Sequence, residues 1–411
     1  MQNNVFQKSI EYLQNKQDIF IRKKYVNKIK DFSDTWNIVV IEGQRRVGKS
    51  YSLLWFLKQF NISLDNVFYI NKEFDINDEI QNQKDLNNLF DQVSTKNKIE
   101  YIIIDEIQNI DSWEKFILAK FTEKRYKIII TGSNSKLLSG ELSTLLTWRY
   151  LTIEVFSFDY QEFLEFKNYE NNIQSFKEYI TFWWMPEVLL LQTDELKQNY
   201  IKNTLNSIFF KDIVSRFTIR NTKLLEKVFQ YLQSELGNII SITNIWNYIK
   251  QVFKKEVSLT TISNYLDYLT FPFLVREVLR YDIKWKKVLD YTAKYYFSDI
   301  GIRNSSWFNF SKDIGKILEN LVYIKLVSEG YVIKIWELNW KEIDFVAEKN
   351  GEKKYIQVCY FLLDEKVIER EFGNLLKIKD NYEKLVVSMD ESFGNTYEGI
   401  KNVNIREFLT I

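Results

Sequence analysis

The chain has 411 residues, length for roughly two to four domains, and a formal net charge of +1, which excludes a polycationic nucleic-acid coat but leaves room for a local basic face. It has no histidine and one cysteine, Cys359. That excludes Ser–His and Cys–His nucleophile pairs, His-ligated metals, an intramolecular disulfide and a cysteine-based zinc site, and leaves carboxylates, lysine, arginine, hydroxyls and backbone amides for any chemistry.

The first segment, "MQNNVFQKSIEYLQ", has no basic stretch followed by an apolar run, so no signal peptide is expected. No uncharged apolar run reaches about 18 residues, so no transmembrane helix and no membrane partner are expected, and the reading is cytoplasmic. Residues 37–41 read as a buried parallel strand, and "SYSLLWFLKQF" as a helix. Between them lies the pattern G-x-x-x-x-G-K-[ST], a phosphate-cradling Walker A loop. Gly43, Gln44, Arg45, Arg46, Val47, Gly48, Lys49, Ser50 and Tyr51 are expected to bind ATP. Glycines let successive N–H groups face the phosphates, and the helix points its positive end at the same anion. Lys49 is expected on the β- and γ-phosphates and Ser50 on Mg²⁺. Arg45 and Arg46 are placed to meet phosphate, a neighbouring acid or a partner.

A second strand, "YIIIDEIQN", runs into two carboxylates, the Walker B pattern. Asp105 is expected to hold Mg²⁺ through water and Glu106 to polarise the attacking water. Gln108 lies just beyond, in reach of the same water. A third strand, "YKIIITGSN", ends in Thr131, Gly132, Ser133 and Asn134, and Ser133 or Asn134 suits a sensor of the γ-phosphate. Arg149, in "LLTWRYLTIEVF", is a candidate for stabilising transition-state charge in cis or in trans, with a surface ion pair as the plain alternative.

Residues 160–220 read mainly as helices. From 221 three helical patterns follow, "LLEKVFQYLQS", "SITNIWNYIKQVF" and "SLTTISNYLDYL", with Ser241 and Ser258 as N-caps. The strands "FLVREVLRYD" and "AKYYFSD" come next. That order fits a winged helix whose third helix, 258–269, is the recognition element. Residues 221–290 hold ten Lys/Arg against seven Asp/Glu. Lys254, Lys255, Lys284, Lys286 and Lys287 are placed for phosphate, yet the third helix is poor in basic residues, so packing or protein contact competes with DNA binding.

These segments resemble a large bacterial and archaeal family of AAA-like P-loop ATPases that join the ATPase core to a winged helix and a C-terminal restriction-endonuclease-like domain. The resemblance rests on "IEGQRRVGKS", "YIIIDEIQNI", "ITGSNSKLLSGELSTLL", "VFSFDYQEFL", "KYYFSDIGIRN", "DIGKILENLVYIKL" and "EIDFVAEKNGEKKYIQVCY". It implies ATP hydrolysis, a helical lid beside the nucleotide at 166–220, and little about a biological role. Nuclease sites of the implied last domain need a helical acid, a strand Asp and a Glu-x-Lys. Here Glu319 and Asp344 match, but Gln357 stands for the Glu and Cys359 for the Lys. Gln is a neutral, weak ligand for a hard cation. The expectation is an intact fold with a disabled metal site, Glu319 and Asp344 being remnants.

Eleven Trp against 12 Gly is a skewed ratio, since an average chain of this length has nearly 30 Gly, at about 7%. In "LNWKEID" and "DIKWKKVL" a Trp sits in a turn where glycine chemistry is expected. Members of the resembled family have Gly-Gly near "FWWMPE" and Gly-Arg near "TWRY". Trp148, Trp183, Trp184, Trp285, Trp307, Trp336 and Trp340 all fit glycine better, while Trp113 fits as tryptophan. A lineage that reads UGA as glycine explains this, as does AT-rich codon usage with true tryptophans. The coding DNA is expected to show UGA at these positions, and UGG there ends the idea.

The expected architecture is α/β: a P-loop core with a parallel sheet at 1–165, a helical lid at 166–220, a winged helix at 221–300 and a restriction-endonuclease-like domain at 301–411. Three functions compete. The first is a Mg²⁺-dependent ATPase switch acting on DNA or a protein, in a monomer or an oligomer. The others are an ATP-dependent nuclease and a nucleotide-binding scaffold that does not turn over.

Overall fold

Runs of β-branched and aromatic residues without polar interruption bury both faces of a strand, the pattern of a parallel sheet covered by helices. The computed structural model describes residues 20–73, 78–135, 137, 149–182, 185–254, 257–282, 287–305, 310–338, 341–362, 364–391 and 393–411. In its first unit, residues 1–156, five such runs form one parallel sheet. They are β1 Ile38–Glu42, β2 Val67–Asn71, β3 Tyr101–Asp105, β4 Lys127–Gly132 and β5 Tyr150–Glu154, in the order β2-β3-β4-β1-β5.

Alternate side chains enter opposite cores. Val40, Ile70, Ile102, Ile104 and Ile130 face α3 (Gln83–Ser94) and α4 (Trp113–Thr122), which contribute Leu86, Phe90, Trp113 and Phe116. Val39, Ile41, Tyr69, Ile103 and Ile129 face α1 (Lys23–Asp34) and α2 (Lys49–Gln59), which contribute Tyr25, Ile29, Leu53 and Phe56. Each fully buried aliphatic side chain contributes about 2 kcal/mol. Asn82 and Asp85 close a capping box on α3, which fixes where that helix starts. The parallel register sets Ile41 beside Thr131 and Asn71 beside Asp105, so the carboxyl ends of β1 to β4 share one edge. Trp113 is buried in the core, as a true tryptophan should be.

The second unit, residues 157–411, begins earlier than the boundary of 165 drawn from sequence. Its helices α5 (Tyr160–Lys167), α6 (Ile173–Thr181) and α7 (Asp194–Ser207) precede α8 (Thr222–Ser234), α9 (Ile242–Phe253) and α10 (Leu259–Thr270). Ser241 and Ser258 accept the N–H groups of Asn244 and Thr261, each at 3.1 Å, and cap α9 and α10. The strands are β6 Ile240–Ser241, β7 Val275–Asp282, β8 Lys287–Phe297, β9 Val332–Leu338, β10 Lys341–Lys349, β11 Glu352–Val358, β12 Glu383–Ser388, β13 Thr396–Tyr397 and β14 Ile400–Asn404. Helices α11 (Phe310–Ser328), α12 (Glu365–Leu376) and α13 (Ile405–Thr410) accompany them. All nine strands join one sheet, β13-β14-β12-β11-β10-β9-β7-β8-β6. The sequence reading ended one domain at residue 300. The sheet runs across that line, because β7 pairs with β9 in parallel, Arg280 beside Ile335.

Trp336 is a correction. It lies in regular pairing within β9, opposite Ile343 of β10, with its ring 5.4 Å from that of Tyr355, and nothing in this backbone calls for glycine. Trp36, which the sequence reading passed over, does sit in a left-handed turn, at φ 61° and half exposed. A bulky side chain rarely adopts that conformation, so Trp36 joins the positions whose codon is of interest. Trp148, Trp183, Trp184, Trp285, Trp307 and Trp340 lie outside the described residues.

Candidate nucleotide site

The loop after β1 turns on two glycines. Gly43 has φ 145°, and a Cβ there would lie 2.2 Å from the Val155 carbonyl oxygen. Gly48 has φ 97° and precedes α2, whose first turn has no side-chain cap. The positive end of α2 therefore points into the loop, the geometry that favours an anion there. Lys49 is buried and donates to the carbonyls of Gly43 (2.9 Å) and Gln44 (3.1 Å). Gln44 is buried, and both of its side-chain amide atoms lack a hydrogen-bond partner.

Asp105 and Glu106 arrive at the same edge from β3. The Asp105 carboxylate accepts from Tyr69 (3.3 Å), Asn71 (3.2 Å), the Thr131 hydroxyl and Ser50. Burial raises its pKa and Glu106 adds to the rise, while Ser50 and Thr131 oppose it. Ser50 and Asp105, the expected Mg²⁺ ligands, thus lie within hydrogen-bond reach of each other, and their hard oxygens suit that ion.

Glu106 takes a left-handed backbone, φ 56°, and its N–H donates to the Thr131 hydroxyl at 3.0 Å. Its carboxylate lies 3.2 Å from the Lys49 ammonium and accepts from Gln108 at 2.6 Å and from Ser133. Burial pushes this carboxyl up, but Lys49, Arg45, Gln108 and Ser133 outweigh it and hold the pKa at about 2. Glu106 is therefore ionised at neutral pH.

Of the two sensor candidates, Ser133 touches the cluster, since Gln108 also donates to its hydroxyl at 3.3 Å, while Asn134 is buried next to it in sequence. Arg45 pairs with Glu73. Arg46 is exposed at φ 69°, Val47 is buried, and Tyr51 is half-buried in the first turn of α2. Arg149 requires correction. It immediately precedes β5, whose first residue Tyr150 pairs with Ile38 at the amino end of β1. The loop leaves the other end, roughly 20 Å along the strands, so Arg149 does not serve its own loop in cis.

Sequence reasoning missed the residues that hold the cluster from behind. Tyr69, Asn71 and Thr131 were visible only as strand residues, and a polar residue at the carboxyl end of an apolar strand was the available signal. Arg22 is buried and donates to the carbonyls of Val47 (3.1 Å) and Phe156 (2.6 Å), with its guanidinium 4.5 Å from the Tyr25 ring centre. It ties the phosphate loop to the last residue of the first unit.

A protein of Haemophilus influenzae described as uncharacterized is 33% identical over 397 residues, covering 94% of this chain and 98% of its own length. A family described as an AAA domain matches residues 35–164. The chain belongs to this family of AAA-like P-loop ATPases. A domain of unknown function, DUF8612, matches residues 173–313. A protein of Methanocaldococcus jannaschii, also described as uncharacterized, is 33% identical over 381 residues, covering 87% of this chain and 83% of its own. The solved structure of a Walker-type ATPase of Pyrococcus abyssi, PABY2304, is 16% identical, covers 70% of this chain and 96% of that one, and has a TM-score of 0.49. Among the described residues of this member of the AAA-like family, no helix is long and apolar enough to cross a membrane.

Proposed function

We propose that the first unit binds ATP with Mg²⁺ and hydrolyses it, and that hydrolysis switches how the second unit engages DNA or a protein partner. The observation that carries this is the meeting of Lys49, Ser50, Asp105 and Glu106 at one sheet edge, with Lys49 and Glu106 3.2 Å apart. Loop residues 43–51 cradle the triphosphate. Ser50 and Asp105 hold Mg²⁺, which neutralises phosphate charge when bound. Glu106 takes the proton of the attacking water, and Ser133, with Asn134 next to it, reads the γ-phosphate end. In the second unit, α8 to α10 with β6 to β8 form the winged helix, and β9 to β14 with α11 and α12 form the restriction-endonuclease-like part. Helices in 166–220 act as the lid.

A pull-down tests the switch. Full-length Glu106→Gln loaded with ATP is expected to retain a DNA or protein partner that Lys49→Ala releases. Identical captured material from both variants would remove the switch and leave a plain ATPase. Absence of phosphate release by the wild type would remove the ATPase.

A further inference from the structure

The second unit contains a buried ionic cluster outside the nucleotide site. Lys294 on β8 is 3% exposed. Its ammonium lies 2.8 Å from Glu319 Oε1, pairs with Glu342, and lies 3.8 Å from Asp344 Oδ1. Glu319 comes from α11, and Glu342 and Asp344 from one face of β10, two residues apart. Tyr296, two residues beyond Lys294 on β8, donates its hydroxyl to Glu319 Oε1 at 2.6 Å. The other oxygen of Asp344 is taken by the Val358 N–H at 2.8 Å, and Gln357 Oε1 accepts the Asp344 N–H at 3.3 Å. Cys359 is buried, and burial pushes its thiol well above the ordinary range, so it offers no thiolate.

Glu319 and Asp344 are the two acids that a restriction-nuclease-like site would present to a divalent cation. The space between them is filled by an ammonium. Gln357, at the third ligand position, is turned to the backbone. A divalent ion entering here would meet a like charge in a low-dielectric interior, and displacing Lys294 would break its contacts with Glu319, Glu342 and Asp344.

We propose that Lys294 is the resident cation of this cluster and stands in the place of the divalent ion. The inference rests on the nuclease-like reading of the second unit. It makes that unit incapable of metal-dependent phosphodiester cleavage, and it gives Glu319 and Asp344 a present task. They bind β8, from the hairpin side of the sheet, to α11 and β10.

The test is Mn²⁺ uptake, read by the paramagnetic resonance of free Mn²⁺. It uses the full-length chain without nucleotide, in an Asp105→Asn background that silences the phosphate-loop site. The chain with Lys294 intact is expected to take up no Mn²⁺. Lys294→Met is expected to take up one Mn²⁺ per chain, and to lose it when Asp344→Asn is added. If Lys294→Met does not melt cooperatively, Lys294→Gln, which keeps donors for the carboxylates, replaces it with the same expectation. Mn²⁺ bound with Lys294 intact and removed by Asp344→Asn would overturn the proposal while leaving the nuclease-like reading standing. No uptake by a folded Lys294 variant would overturn both.

Discussion

Glu106→Gln is expected to bind ATP more tightly than the wild type and to release phosphate at least about 100-fold more slowly. The tighter binding follows from one contact. Lys49 lies 3.2 Å from Glu106, and both side chains are buried. To reach the β- and γ-phosphates, the ammonium must leave that carboxylate, and separating a buried ion pair is costly unless a new partner replaces the old. Glutamine keeps the volume and can still accept from Gln108, but it holds Lys49 less strongly, so the loop is freer to take the nucleotide. It also has no basic oxygen for the water proton, and losing a positioned general base costs typically 10²- to 10⁴-fold.

The same contact gives the pH behaviour a sign. With its pKa held at about 2, below the ordinary carboxyl range, the folded-state Glu106 is stabilising above the unfolded value. That contribution is lost as the pH falls from the ordinary range through 2. When ATP draws Lys49 away, the strongest of the groups lowering that pKa leaves, and Glu106 becomes a better base at the moment a base is needed. Equilibrium ATP binding and single-turnover phosphate release, with Lys49→Ala as the weak-binding reference, check this. Wild-type turnover by Glu106→Gln would refute the role given to that carboxylate.

The parts legible in the sequence are those whose chemistry is written in consecutive residues. The glycine spacing of the phosphate loop and the apolar run ending in Asp105 and Glu106 are local patterns, and the fold keeps them local. Contacts made across the sheet leave no such trace. Thr131 reaches both Asp105 and Glu106 from the neighbouring strand, and Tyr69 and Asn71 reach Asp105 from the other side. Each is an ordinary strand residue until the order β2-β3-β4-β1 is known. Arg149 shows the converse. Its residue type suited the chemistry in cis or in trans, but strand direction sets it at the amino end of β5, which removes the role in cis and leaves the one in trans. In the second unit the hairpin and the later strands were legible as separate groups. The parallel β7–β9 pairing that fuses them, and the meeting of Lys294 with Glu319, depend on residues far apart in sequence.

Gly43→Ala is expected to lower ATP affinity more than tenfold and to destabilise the first unit by about 2–4 kcal/mol. Two costs combine at this position. A φ of 145° is open to glycine and strained for alanine, on the order of 1–3 kcal/mol. The added Cβ would also stand 2.2 Å from the Val155 carbonyl oxygen, a backbone atom. Val155 cannot retreat easily, because its N–H donates to Glu42 at 2.8 Å and the next residue, Phe156, is held by Arg22 and Tyr25. The loop must therefore move instead, taking with it the Gly43 carbonyl that receives Lys49. Gly351→Ala separates the two costs. Its φ is 86°, but nothing lies within 4 Å of the added carbon, so it carries backbone strain alone and leaves ATP binding at the wild-type level. Denaturant melts and ATP titrations on both variants give the comparison. Equal effects from the two substitutions would mean that the close approach of Gly43 to Val155 does not shape the phosphate loop.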